Sequence, residues 1–307
     1  MSRTQTVSQS ASMAARRTRF VWNLAFALLF VLTPVASASA APLNILYFGN
    51  SFLEGQGGPR SVPSLVASIA TAAGHETPNS AEVLADLADF GYHLNTTTFL
   101  IDLWAPPGET WDYVVMQDNS TFPTHIGDVT AHRDNAVALY EATAAHSPDV
   151  VPVLFETWAR GPANEFYTGP SPLFAGGATQ MQQELHDAYY LAAGDINAAA
   201  GESLARVAAV GDAFESIGFV PALYDAEQYH ASLLGSLTAA LVTYSTIYND
   251  PHVTSIDLSD LLADLELTEA DLAIATGGWA VVPEPSSWML LAAALTSLSL
   301  FHFRRRR

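Results

Sequence analysis

Three polar groups at the ends of apolar runs are the best placed in this chain to do chemistry. The first is Ser51, which follows the run I45-L-Y-F-G-N50. A hydroxyl there can be a turn residue, part of a phosphate cradle or a nucleophile. The phosphate readings fail on composition and spacing. A P-loop needs a lysine and the chain has none, while a G-x-G-x-x-G fingerprint starting at Gly55 meets Arg60 at its last position. A G-x-S-x-G elbow fails at Leu53, where its second glycine would stand. A turn serine or a nucleophile remains.

The second group is Asn119, in the polar cluster Q117-D-N-S120 that ends the run Y113-V-V-M116. Its amide is suited to a turn or cap, or to donating a hydrogen bond to a developing oxyanion. The third is His230, in L223-Y-D-A-E-Q-Y-H230. Glu227 and Asp225 lie just upstream, and a carboxylate there can hold an imidazole in one tautomer. The other central histidines lack comparable neighbours in sequence, and none shows metal-ligand spacing. No metal and no cofactor are expected.

The elements that must position these groups alternate. Asn44–Phe48, Tyr113–Met116 and Val151–Phe155 read as short, continuously apolar strands. Ser61–Ala73, Arg133–His146, Thr179–Ala200 and Ala231–Tyr248 read as helices, and Ala205–Val210 as a strand or a helix end. The stretch from Asp257 to Ala275 reads as terminal helices. Apolar strands between helices predict a mainly parallel sheet covered on both faces, a three-layer α/β/α domain. In such sheets ligands bind beyond the carboxyl ends of the strands, where Ser51 and Asn119 lie.

The 307 residues divide into three segments. Residues 1–41 carry Arg16, Arg17 and Arg19, an apolar stretch and small residues suited to cleavage, the pattern of a signal peptide. Residues 42–281 form the domain. Residues 282–307 join Pro-Glu-Pro to an apolar run and the cluster R304-R-R-R307. Between the tails, four arginines face 30 acids, a formal charge of −26. That field repels nucleic acid, so no nucleic-acid partner is expected. The chain has no cysteine, which excludes disulfides and thiolate chemistry.

The C-terminal segment resembles the PEP-CTERM sorting signal. The resemblance implies export and an exosortase-type processing enzyme as partner. It also implies transient anchoring by the C-terminal helix and release to the cell surface or extracellular matrix of a Gram-negative bacterium. The domain resembles the SGNH/GDSL hydrolases, a superfamily of flavodoxin-like fold, from about Asn44 to Tyr248. Its first block matches G49-N-S51, and its second places a glycine at Gly91. Its third, G-x-N-D, lies over Q117-D-N-S120 with Gln and Ser replacing the flanking residues. Its fifth, D-x-x-H, lies over E227-Q-Y-H230 with Glu for Asp.

The resemblance implies a serine esterase acting on carboxylic esters, such as O-acetyl groups on extracellular carbohydrate. Ser51 would be the nucleophile, His230 the base and Glu227 its acid, with Asp225 as the alternative if the loop folds back. The N–H groups of Ser51 and Gly91 and the amide of Asn119 would form the oxyanion hole. The other reading is a non-catalytic surface or matrix-binding protein that keeps the fold.

Overall fold

A computed structural model of the protein describes residues 41–277. The expected signal peptide and sorting segment lie outside the described residues. Five strands form one sheet in the order β2-β1-β3-β4-β5, with every neighbouring pair parallel. They are β1 (Asn44–Gly49), β2 (Asn79–Leu84), β3 (Tyr113–Met116), β4 (Val151–Phe155) and β5 (Arg206–Ala208). All six residues of β1 are buried, as expected of a central strand with helices on both faces. β2, at the edge, buries only Val83, so its sequence lacks the apolar run that marks the others.

The helices are α1 (Ser51–Glu54), α2 (Val62–Ala72), α3 (Phe90–Thr96), α4 (Leu100–Leu103) and α5 (Val129–Ala144). They continue with α6 (Gly177–Ala200), α7 (Val210–Ser216), α8 (Leu233–Tyr248), α9 (Ser259–Leu265) and α10 (Glu269–Ala275). One layer sets α2 and α10 against α8; the other packs α3 and α6 against α5. At the β5 edge α7 touches both α6 and α8. Of these elements, β2 and the short helices α1, α3, α4 and α7 are not among those expected from the sequence. Among the described residues no helix is long and apolar enough to cross a membrane.

The chain runs from β1 to β2 on one side of the sheet and returns to β3 on the other. The switch therefore lies between β1 and β3, and their carboxyl ends open one crevice. Ser51 follows β1 and Asn119 follows β3.

Candidate active site

Ser51 begins α1, a single helical turn held at its start by Asn50. The Asn50 Oδ1 accepts from the Phe52 N–H at 3.1 Å, a side-chain cap. The Asn50 N–H donates to Gln117 Oε1 at 2.8 Å, and its Nδ2 donates to the Ala88 carbonyl at 2.8 Å. Gln117 is fully buried, so the residue standing for the first glycine of G-x-N-D braces the residue beside the serine. Gly49 is required by that brace: a Cβ there would lie 2.7 Å from Gln117 Oε1 and 2.7 Å from Leu53 Cδ1. The Ser51 N–H, in the first turn of α1, has no protein acceptor among the described residues.

The Ser51 Oγ lies 3.0 Å from His230 Nε2, within hydrogen-bond reach. His230 arrives on an irregular loop before α8. A bridge pairs Tyr224 with Ala231, and the Asp225 N–H donates to the His230 carbonyl at 2.9 Å. Gln228 takes a φ of 58° inside the loop. The helical turn that would favour Glu227 does not form; the chain folds back instead. Asp225 Oδ2 stands 3.7 Å from His230 Nδ1, and the other carboxylate oxygen accepts from the Glu227 N–H at 3.0 Å. Glu227 is exposed and makes no ion pair with His230 among the described residues.

Aromatic packing fixes the loop from behind. Tyr229 lies 5.3 Å from Phe52 between ring centres, and the Trp158 indole donates to the Tyr229 carbonyl at 3.1 Å. The Arg160 guanidinium sits 3.2 Å from the centre of the Tyr229 ring, a cation–π contact. It also donates to Ser120 Oγ at 3.3 Å, so it joins the β3 end to the histidine loop. Burial pulls its pKa down to about 10. It pairs with no acid among the described residues.

The third strand end is organised by Asp118, which is fully buried. Its Oδ1 accepts from the N–H groups of Asn119 at 2.8 Å and Phe90 at 3.0 Å, and its Oδ2 faces His132 Nδ1 at 2.7 Å. One carboxylate thus joins the Asn119 loop, the start of α3 and α5. The Asn119 Nδ2 donates at 3.4 Å to the carbonyl of Leu87, in the loop after β2. Leu87 is 74% exposed and has a φ of 58°, an unusual conformation for a side chain other than glycine. The Leu87–Ala88 segment therefore touches both Asn50 and Asn119. Gly91 follows in the first turn of α3, where a Cβ would lie 3.1 Å from Asn135 Nδ2 of α5. It makes no hydrogen bond to Ser51, Asn119 or His230 among the described residues.

The structure thus brings Ser51, His230 and Asp225 into one line and sets Asn119 at the next strand end. Two clusters have metal-ligand chemistry among the described residues: Asp225 with Glu227 and His230, and Glu156 with His186 and Asp212. In the first, His230 Nε2 is engaged by Ser51, which suits proton transfer. An open depression of about 430 Å³, lined by Glu54, Glu82 and Asp86 among others, lies at the β2 end. Sequence reasoning missed Asp118 and Gln117 as supports, because their partners lie far away in the chain.

Residues 281–307 match the PEP-CTERM protein-sorting motif. Among curated proteins none matches the chain in sequence. Solved structures do. A protein of Slackia heliotrinireducens, described as an SGNH hydrolase, is 27% identical, with a TM-score of 0.52; the match covers 67% of this chain and 99% of that one. A DUF4886 family protein of Bacteroides uniformis is 16% identical, with a TM-score of 0.55, and the match covers 80% of this chain and 96% of that one. The described domain has the SGNH-hydrolase fold, and the chain ends in a PEP-CTERM sorting motif.

Proposed function

We propose that the domain of residues 42–281 is an exported serine esterase that hydrolyses carboxylic esters through an acyl-serine intermediate. The observation that carries the proposal is the 3.0 Å contact between Ser51 Oγ and His230 Nε2 at the β1 end of the crevice. In the proposed reaction Ser51 attacks the ester carbonyl and His230 takes its proton. His230 then passes the proton to the departing alcohol. Water repeats the sequence on the acyl-serine and releases the acid. Asp225 orients and balances the imidazolium, with Glu227 as the more exposed alternative. The N–H of Ser51 and the amide of Asn119 hold the oxyanion, with the N–H of Gly91 as a third donor.

The substrate class proposed is neutral. The carboxylates Glu54, Glu82 and Asp86 line the depression beside the loop after β2, and they disfavour an anionic group. O-acetyl groups on extracellular polysaccharide meet this condition. Under this reading residues 1–41 direct export. The sorting motif implies an exosortase as processing partner, which would remove the C-terminal segment and leave the domain at the cell surface or in the matrix.

The test is labelling of the folded protein with a fluorophosphonate, followed by peptide mapping. An adduct on Ser51 that disappears in His230→Ala supports the esterase. A folded protein that takes no label on Ser51 supports the non-catalytic, matrix-binding reading instead.

A further inference from the structure

A second cluster sits where β4 ends, on the α6 and α7 side of the domain. Glu156 follows β4 and is fully buried, and its Oε2 has no hydrogen-bond partner. Its Oε1 accepts from the Gln182 amide. Oε2 lies 4.0 Å from His186 Nδ1, and that same nitrogen lies 2.9 Å from Asp212 Oδ2. The imidazole nitrogen and one oxygen of each carboxylate all fall within 4.8 Å of one another.

Such an arrangement is unbalanced as it stands. A buried carboxylate with an unpartnered oxygen, facing a second carboxylate, calls for a proton or a cation between them. The donor set separates the possible ions. Calcium and magnesium favour all-oxygen shells, whereas imidazole with carboxylates suits zinc and other first-row ions. Bonds of about 2.0–2.2 Å in tetrahedral geometry set ligand atoms about 3.3 Å apart. The 2.9 Å and 4.0 Å separations bracket that value.

We propose that Glu156, His186 and Asp212 bind a first-row divalent cation, Zn²⁺ or Mn²⁺. His186 and Asp212 are about one third exposed, at 35% and 29%, so the ion enters from solvent and keeps water in its open position. The site ties three elements together, since His186 belongs to α6, Asp212 to α7 and Glu156 to the end of β4. The backbone is already tight there. The Gly211 N–H donates to the Glu156 carbonyl, and a Cβ at Gly211 would collide with the Gln182 amide and the Thr157 carbonyl. Two residues beyond Glu156, Trp158 stacks on Phe214 of α7 at 4.7 Å and donates to the Tyr229 carbonyl beside His230. The cation braces the wall on which the histidine loop rests, and its role is structural.

The full chain, stripped with a chelator and dialysed, is titrated with ZnCl₂ and with MnCl₂ by calorimetry, and its thermal unfolding is followed with each. One equivalent of one of these ions binds and raises Tm, and CaCl₂ does not. His186→Ala, at a partly exposed position, folds and weakens binding by at least about 100-fold. Glu156→Gln does the same, while His230→Ala binds as the wild type. The proposal is overturned if neither ion binds, as expected if a shared proton alone joins Glu156 and Asp212. It is also overturned if binding survives His186→Ala or is lost in His230→Ala, which would move the ion to the Asp225 cluster. Neither result depends on the esterase reading, because the readout is binding and Tm.

Discussion

Ser51 and His230 are separated by 179 residues, yet their Oγ and Nε2 atoms lie 3.0 Å apart. No local segment makes this contact. It follows from a parallel sheet that ends β1 at the crevice and from a final long helix that begins just after His230.

The acid behind the histidine is tested by a pair of variants. Asp225→Asn is expected to lower kcat by about 10³–10⁴-fold, the effect of losing the carboxylate that sets the imidazole tautomer. Glu227→Gln is expected to leave kcat within about threefold of wild type, because Glu227 is exposed and unpaired with His230. Steady-state hydrolysis of p-nitrophenyl acetate by both proteins decides it. The reverse ranking makes Glu227 the acid.

Asn119→Ala removes the side-chain donor at the β3 end. kcat is expected to fall by about 10²–10³-fold, the usual effect of deleting one oxyanion donor. The Asn119 side chain also accepts from the Thr121 N–H at 3.2 Å and Thr121 Oγ1 at 3.1 Å and donates a long 3.4 Å bond to Leu87, so a fall of about 1 kcal/mol in stability accompanies the loss of kcat. A fall in stability with unchanged kcat would assign Asn119 to the loop alone.

Asp118→Ala breaks a buried network. His132 and two backbone N–H groups lose their acceptor in a fully buried place. A loss of about 3 kcal/mol of unfolding free energy is expected, because several donors are left without their acceptor in a buried place. Urea denaturation followed by tryptophan fluorescence measures it. A loss below about 1 kcal/mol would show that the network carries little.

Acid stability is tied to His93, which is fully buried between the Gly49 carbonyl at 3.1 Å and Thr97 Oγ1 at 3.0 Å. Burial pulls its pKa down to about 4. Above about pH 6.5 the imidazole is neutral in both folded and unfolded chains, and the contribution is complete. As pH falls from there, the unfolded chain binds a proton that the folded chain refuses, and stability declines until about pH 4. The loss amounts to about 3 kcal/mol. Urea unfolding at pH 7, 5.5 and 4.5 is expected to show a smaller decline in His93→Gln than in wild type. Parallel declines would mean that other groups set the acid limit.

Much of the fold was legible because buried parallel strands leave apolar runs. Tyr113–Met116 and Val151–Phe155 coincide with β3 and β4. The edge strand β2, N79-S-A-E-V-L84, was not legible, because most of it faces partly to solvent and one-sided burial leaves a weak pattern. The D-x-x-H resemblance puts Glu227 three residues before His230, which a helical turn would bring beside the imidazole. The loop instead closes through the Tyr224–Ala231 bridge, and a backbone that folds back on itself leaves no periodicity to read. His93 and His132 looked featureless in sequence because their partners, Gly49 and Asp118, come from other elements. The same reason hid Glu156, His186 and Asp212, whose common site exists only where β4, α6 and α7 meet.

The packing of α8 against α2 has a consequence for timing. α2 begins soon after Ser51 and α8 closely follows His230, so the contact between these helices closes the domain around both groups. A chain that has delivered only its first two hundred or so residues holds Ser51 and Asn119 but not the His230 imidazole. Under the proposed esterase reading, hydrolytic competence is then the last property the domain acquires.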